Sequence, residues 1–243
     1  MRLTNMAKTI TIKDRLEALN WDDLSEALDR DGYALTPGLL RPQECARLVE
    51  AYDDNSLFRS QVVMARFGFG RGEYKYFKYP LPEMVSDLRE RTYPKLAPIV
   101  NRWAAQTRSN SYPEHYEEFL KVCHGAGQDK PTPLLLKYEA GDFNCLHQDL
   151  YGAIAFPFQM TFFLSRREVD YSGGEFVLVE QRPRMQSRAV VITAEQGQAV
   201  IFPTRYRAVS GTRGIYKTNL RHGVSRLRSG KRFTLGIIFH DAQ

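Results

Sequence analysis

The spacing of apolar positions changes character part-way along the chain. From residue 12 to residue 124 apolar residues recur mainly at helical spacing among charges. Leu16, Leu19, Leu24 and Leu28 fall on such a pattern, which predicts a helix over residues 14–31 that stops at Gly32. Residues 42–52 predict a second helix entered through Pro42. Residues 81–106 predict a third, which Pro94 and Pro98 should break or kink, because proline lacks the backbone donor and crowds the preceding turn. Residues 113–123 predict a fourth.

After Pro131 the text becomes short aromatic and β-branched runs between turns, at 158–164, 175–179, 189–193, 199–202, 217–224 and 232–239. Short strands at this spacing predict a mainly β fold with helices. The core would be a double-stranded β-helix, a cupin-like jelly roll, over residues 131–243. Residues 1–130 would form an N-terminal helical layer and a substrate lid, the two parts making one integrated domain. A chain of 243 residues can bury one such core.

Composition narrows the class only slightly. A hydrophobic fraction of 43% excludes a disordered chain. No apolar stretch has the length of a membrane span, and residues 1–13 lack a signal-peptide core. Cys45, Cys123 and Cys145 are scattered without metal-type spacing, which fits free thiols in a reducing cytoplasm. Cys145 reads as a small buried strand residue. His115 and His124 read as surface residues, and His240 as a residue near the end of a closing strand.

The chemistry sits in His147-Gln148-Asp149, followed downstream by His222 and then by Arg232. Two imidazoles and one carboxylate bind one face of Fe(II) and leave the opposite positions open to a co-substrate and O2. His147 and Asp149 are two apart, so on a strand they leave the same face, and His222 would arrive from another strand. Arg232 and Thr234 share a face too, where a guanidinium fork and a hydroxyl would hold a carboxylate. Gly173-Gly174 reads as a tight turn.

From Pro133 to Asp241 the sequence resembles the Fe(II)/2-oxoglutarate-dependent dioxygenases. The likeness rests on H-x-D, then Ser172-Gly173-Gly174-Glu175-Phe176, then His222-Gly223-Val224 with an arginine ten residues after the histidine. It implies that His147, Asp149 and His222 hold the iron, that Arg232 pairs with the distal carboxylate of 2-oxoglutarate, and that Thr234 and Tyr138 assist. It also implies release of succinate and CO2. Tyr79-Pro80-Leu81-Pro82 and residues 180–188 carry a closer likeness to a bacterial family of such oxygenases acting on damaged DNA. That likeness implies oxidative demethylation of alkylated bases, with formaldehyde as a further product.

Charge points toward the same substrate class. The chain has 34 lysines and arginines and 28 acids, a net charge of +6. Residues 181–232 hold twelve of the basic residues and one acid, Glu195, which leaves 22 basic and 27 acidic residues elsewhere. The positive excess therefore belongs to one window around the candidate site, where it would attract a polyanion. Arg182, Arg184 and Arg188 are candidate phosphate contacts. The run Arg66-Phe67-Gly68-Phe69-Gly70-Arg71-Gly72 leads into Tyr74, Tyr76 and Phe77, a cation–aromatic mixture suited to stacking bases. It reads equally as a loop over the iron, with Tyr76 and Phe77 as substrate contacts, or as a half-buried hairpin packed on the core.

Two alternatives stand beside base demethylation. Hydroxylation of a protein side chain such as proline is supported by the ten-residue spacing from His222 to Arg232, which resembles that of prolyl-hydroxylase relatives. A small-molecule hydroxylase of the same superfamily stands beside it. Base-demethylating relatives usually carry another arginine six residues beyond the co-substrate arginine, where this chain has Ile238. A cupin-like binding module without turnover is the third reading, and it has no need of a complete metal and carboxylate set.

Overall fold

The computed structural model describes residues 10–212 and 214–243. Its helices are α1 (Ile12–Glu17), α2 (Trp21–Asp31), α3 (Pro42–Glu50), α4 (Glu83–Gln106) and α5 (Tyr116–Gly125). The strands of the N-terminal part are β1 (Ala34–Leu35), β2 (Phe58–Val63), β3 (Gly70–Arg71) and β4 (Glu73–Phe77). Those that follow are β5 (Leu134–Glu139), β6 (Phe143–His147), β7 (Phe158–Phe163), β8 (Tyr171–Gly173) and β9 (Phe176–Gln181). The last are β10 (Arg188–Ile192), β11 (Ala199–Pro203), β12 (Tyr206–Gly211), β13 (Gly214–Val224) and β14 (Leu227–Ile238).

The strands form the two antiparallel sheets of a jelly roll. The major sheet runs β1-β11-β7-β14-β5-β4-β2, with β8 paired to β14; the minor sheet runs β10-β9-β13-β6-β3, with β12 on β13. The N-terminal part is therefore not only helical. It adds β1 at one edge of the major sheet, β4 and β2 at the other, and β3 at the edge of the minor sheet. No helix among the described residues is long and apolar enough to cross a membrane.

Two helical expectations change. The segment 14–31 is split, because Asn20 adopts an extended conformation and its side chain accepts the N–H of Asp23, capping a new helix at Trp21. The 24-residue α4 instead runs through Pro94 and Pro98. Its buried face, with Leu88, Tyr93, Leu96, Val100 and Trp103, packs on the major sheet side and outweighs two missing donors. Tyr93 meets Phe119 of α5, Phe156 and Phe239, with ring centroids 4.6–6.2 Å apart. Each fully buried ring of this kind contributes about 2–3 kcal/mol of transfer free energy.

A polar clasp fixes α4 to the end of β14. Arg89 is buried and donates to the carbonyls of Ile238 (2.8 Å) and Phe239 (3.0 Å), to the Tyr79 hydroxyl (3.0 Å) and to Asp241 (2.7 Å). His124 of α5 is exposed, as its surface reading expects, and reaches the second oxygen of Asp241 at 3.0 Å. A buried charge with this many partners is satisfied, whereas either partner alone would be costly.

His240 lies beside the clasp and is fully buried. Its Nδ1 accepts the N–H of Phe156 at 3.1 Å, so the ring is neutral with its proton on Nε2. Burial, reinforced by the Arg89 charge, pushes its pKa from the ordinary 6.5 down to about 4. The unfolded chain thus takes up a proton near pH 6.5 that the folded chain refuses until about pH 4. Stability is fully present above this window and should fall by about 3 kcal/mol across it. We predict that His240→Asn, which keeps an acceptor but does not titrate, flattens this part of the profile. Urea unfolding at pH 7.5 and pH 4 would show it; parallel losses in both proteins would exclude His240 as the source.

Candidate active site and metal centre

Strand register brings the two histidines together. His222 of β13 lies directly opposite His147 of β6, and their ring centroids are 4.2 Å apart. Asp149 follows two residues after His147. One of its oxygens is 3.5 Å from His147 Nε2 and the other 3.2 Å from His222 Nε2. One donor atom from each residue falls within a 4.8 Å cluster. The strands come this close because position 223 is glycine: a Cβ there would lie 2.7 Å from the carbonyl oxygen of Asn144.

Neighbours fix the orientation of each group. His147 Nδ1 donates to the carbonyl of Cys145 at 2.8 Å, which fixes the ring with Nε2 turned toward Asp149. His222 is wedged against the rings of Phe202 and Phe176, 4.8 and 5.9 Å away. The Tyr151 hydroxyl donates to Asp149 at 2.7 Å. Burial opposes ionisation of Asp149, yet the His222 charge and hydrogen bonds from both imidazoles hold its carboxyl well below the usual range. Burial lowers His222 and the His147 charge lowers it further. At His147 the burial penalty is overcome by Asp149, which raises its pKa. A carboxylate with two imidazole nitrogens aimed at it is the donor set of a facial metal site, so these residues fit Fe(II).

Arg232 occupies the inner end of the same space. It sits on β14 opposite Tyr138 of β5 and is 1% exposed. Among the described residues no hydrogen-bond partner meets its Nε or either terminal nitrogen. The rings of Phe163, Tyr138 and Tyr171 surround it with centroids 5.4, 5.6 and 5.9 Å from the guanidinium carbon. Gly174, with φ +62°, makes the turn beneath it; a Cβ there would press on Leu227 at 2.3 Å and crowd the Arg232 stem at 3.2 Å. A buried guanidinium without a partner is expensive, and it fits an incoming carboxylate. Thr234 and Tyr138 line the same cavity of 410 Å³, which runs from Arg232 to the three metal-type residues. Asn144 donates to the Tyr138 hydroxyl at 3.3 Å.

The weaker substrate candidates fare differently. Phe77 is fully buried and stacks on Phe58 at 4.8 Å, so it belongs to the core and presents no face to a substrate. Tyr76 is also buried, under Arg59 and against Tyr74 and Tyr151. Tyr74, not Tyr76, lines the cavity. The glycine–aromatic run forms β3, pairs with β6 and sets Phe69 in the cavity wall, stacked on exposed Phe67 at 5.6 Å. Arg182 and Arg188 both pair with Glu180, at 2.8 and 3.2 Å, while Arg184 is exposed at a hairpin tip. Cys145 is exposed and lines the cavity, contrary to its reading as a buried residue. Tyr151 was not singled out in the sequence, although its spacing of two from Asp149 repeats that of Asp149 from His147.

Comparison with known proteins decides the family. Residues 72–242 match the family described as "Oxygenase, catalysing oxidative methylation of damaged DNA". The chain belongs to this family. An uncharacterized protein of Mycobacterium tuberculosis is 48% identical over 167 residues, 68% of this chain and 72% of that one. The fold is similar to that of an oxidoreductase of the 2OG-Fe(II) oxygenase family from Burkholderia pseudomallei, with TM-score 0.57, 16% identity and 93% of each chain covered. It is also similar to a prolyl hydroxylase from Trichoplax adhaerens in complex with a hypoxia inducible factor peptide fragment, with TM-score 0.56, 14% identity, and 97% of this chain and 94% of that one covered. A Pseudomonas putida prolyl-4-hydroxylase gives TM-score 0.53 at 14% identity, over 92% and 99% of the two chains.

Two predictions follow from the geometry of this oxygenase. Arg232→Met removes an unpartnered buried charge, so the metal-free protein should become more stable by about 2 kcal/mol, while binding of 2-oxoglutarate falls at least a hundredfold. Thermal unfolding and calorimetric titration measure the two effects; a destabilised variant would show that the guanidinium is already satisfied. Tyr151→Phe should weaken Mn(II) or Fe(II) binding about 10–100-fold without altering the fold, because the Asp149 carboxylate loses its orienting donor. An unchanged metal titration would deny Tyr151 that role.

Proposed function

We propose that this member of the oxygenase family is an Fe(II)- and 2-oxoglutarate-dependent dioxygenase that demethylates alkylated bases in nucleic acid. One observation carries the reading: a single cavity joins a two-histidine, one-carboxylate cluster to a buried guanidinium without a partner. His147, Asp149 and His222 would hold the metal on one face. Arg232, with Thr234 beside it, would hold the distal carboxylate of 2-oxoglutarate, and Tyr138 with Asn144 would close the wall behind it. When bound, iron and 2-oxoglutarate supply oxidation of a substrate C–H bond by O2, coupled to formation of succinate and CO2. The protein's task would be to orient these groups and to limit water around them, toward which the apolar wall of Leu134, Leu136, Phe176 and Ile238 would contribute.

The substrate assignment rests on the family description and on where positive charge is free. Of the basic residues in the window 181–232, Arg182, Arg188 and Arg207 share Glu180, Arg228 pairs with Glu175 and Lys231 with Glu139. Arg184, Arg205, Lys217, Arg221 and Arg226 have no carboxylate within 4 Å among the described residues, and they remain available to phosphates. Phe69, Leu146 and Leu150 form an apolar rim to the cavity, suited to a base taken out of its stack. Hydroxylation of an N-methyl group on that base gives a hydroxymethyl amine, which releases formaldehyde and restores the N–H.

A second reading, hydroxylation of a protein side chain, draws on Ile238. It lines the cavity where base-demethylating relatives carry an arginine. Products separate the two. Anaerobic addition of Fe(II) and 2-oxoglutarate should produce the weak visible charge-transfer band of this cofactor pair. Addition of O2 and a methylated oligonucleotide should then yield succinate and formaldehyde together, and His147→Ala or Asp149→Ala should abolish both while the protein stays folded. Succinate without formaldehyde would move the substrate to protein or small molecules; folded protein with neither band nor succinate would leave only a binding module.

A further inference from the structure

Beside the metal cavity lies a second, larger groove of 640 Å³ that the chemistry above does not use. Trp103 of α4, Tyr112 of the α4–α5 connection and Phe119 of α5 supply aromatic surface on one side. The β12–β13 hairpin supplies Arg205, Tyr206 and Lys217 on the other. The groove starts one residue past a candidate metal ligand, since Leu150 lines both spaces. Gln148, between His147 and Asp149, donates its amide to the carbonyls of Arg205 (3.2 Å) and Leu220 (2.8 Å), which ties that rim to the metal-type residues.

The electrostatics of the groove are one-sided. Three cations and no acid line it among the described residues. Arg207 is buried, with its terminal nitrogens turned to Glu180 at 3.7 Å and to the Arg30 carbonyl at 3.4 Å and its Nε unpartnered among the described residues, so it offers no exposed cation to the groove. Arg205 and Lys217 are exposed, and no carboxylate lies within 4 Å of either among the described residues. Both lie against one ring: the Arg205 guanidinium is 4.4 Å and the Lys217 ammonium 5.9 Å from the centroid of Tyr206. A half-exposed aromatic ring with two unpaired cations close to it, in a groove with no negative charge, complements a base with its flanking phosphates. A neutral peptide would leave both cations without a partner, and an acidic one would match the charge but leave the aromatic face unused.

We infer that this groove seats the single-stranded stretch of polynucleotide next to the base that enters the metal cavity, with Tyr206 as the stacking platform and Arg205 and Lys217 on the phosphates. The inference rests on the nucleic-acid reading of the site and deepens it, since it names a strand form and a path. It places the flank of the substrate on the α4–α5 and β12–β13 side, away from the Glu180-bound arginines.

The test uses the full chain and an unmodified fluorescent oligonucleotide of about twelve nucleotides, a length within the range such grooves hold. Fluorescence anisotropy is followed across salt concentrations. Arg205→Ala with Lys217→Ala should weaken binding at least tenfold and reduce the slope of log affinity against log salt by about 1.4, two phosphates' worth for a single strand. Tyr206→Ala should weaken binding with the slope unchanged, and Tyr206→Phe should restore it. Uncoupled succinate formation from 2-oxoglutarate, which needs no polynucleotide, should be the same in all these variants. Wild-type binding that the variants retain in full, or a duplex held as tightly as the single strand, would overturn the groove and leave the proposed reaction standing. No binding of any polynucleotide by the wild type, with succinate still formed on a peptide, would overturn both.

Discussion

A buried cation without a protein partner among the described residues governs this structure. Arg232 projects from β14, which is hydrogen-bonded to β5 and β7 over its inner half and to β8 over its first residues, so its backbone has no freedom to carry the side chain outward. Three aromatic rings close around the guanidinium and soften the burial without supplying an acceptor. The protein thus keeps a fixed positive charge in an apolar enclosure, with a cavity leading from it to two imidazoles and a carboxylate. Affinity for an anion would be built in before the anion arrives, because the cost of desolvating the arginine has already been met in folding. Native proteins commonly sacrifice stability at their sites in this manner.

The parts legible in the sequence are those where one local period suffices. His147 and Asp149 share a face because strand side chains alternate, and Arg232 and Thr234 do so for the same reason. The meeting of His147 with His222 needed long-range register, which the sequence implied only through the resemblance of its motifs. Phe58–Val63 escaped because its place in the sheet comes from pairing with Glu73–Phe77 rather than from its own pattern, whereas Glu73–Phe77 lies in the run that also read as a half-buried hairpin. The prolines of α4 misled in the opposite direction: local cost was plain, but the apolar face that outweighs it is a property of the packed molecule.

Charge shows the same limit. Counting residues located the positive excess in one window, but a linear count cannot see Glu180, one residue outside that window, which binds three of its arginines. Phosphate contacts guessed from Arg182 and Arg188 therefore look weaker in three dimensions, and Arg205 and Lys217, unremarkable in the sequence, gain weight. Phe77 shifted for a related reason: Tyr74 and Phe77 stand on opposite faces of β4, so only one can border the cavity.

Gln148 lies between the two candidate ligands His147 and Asp149, and its amide spans to the carbonyls of Arg205 and Leu220. Those bonds make the ligand-bearing segment and the rim of the neighbouring groove one mechanical unit. A molecule that restrains Arg205 would thereby narrow the motions of His147 and Asp149, and thermodynamic reciprocity would then require metal binding to favour that molecule to the same degree. Occupancy of the outer groove and of the metal centre would in this way be read by each other, so that the oxidant is assembled preferentially when there is something to oxidise.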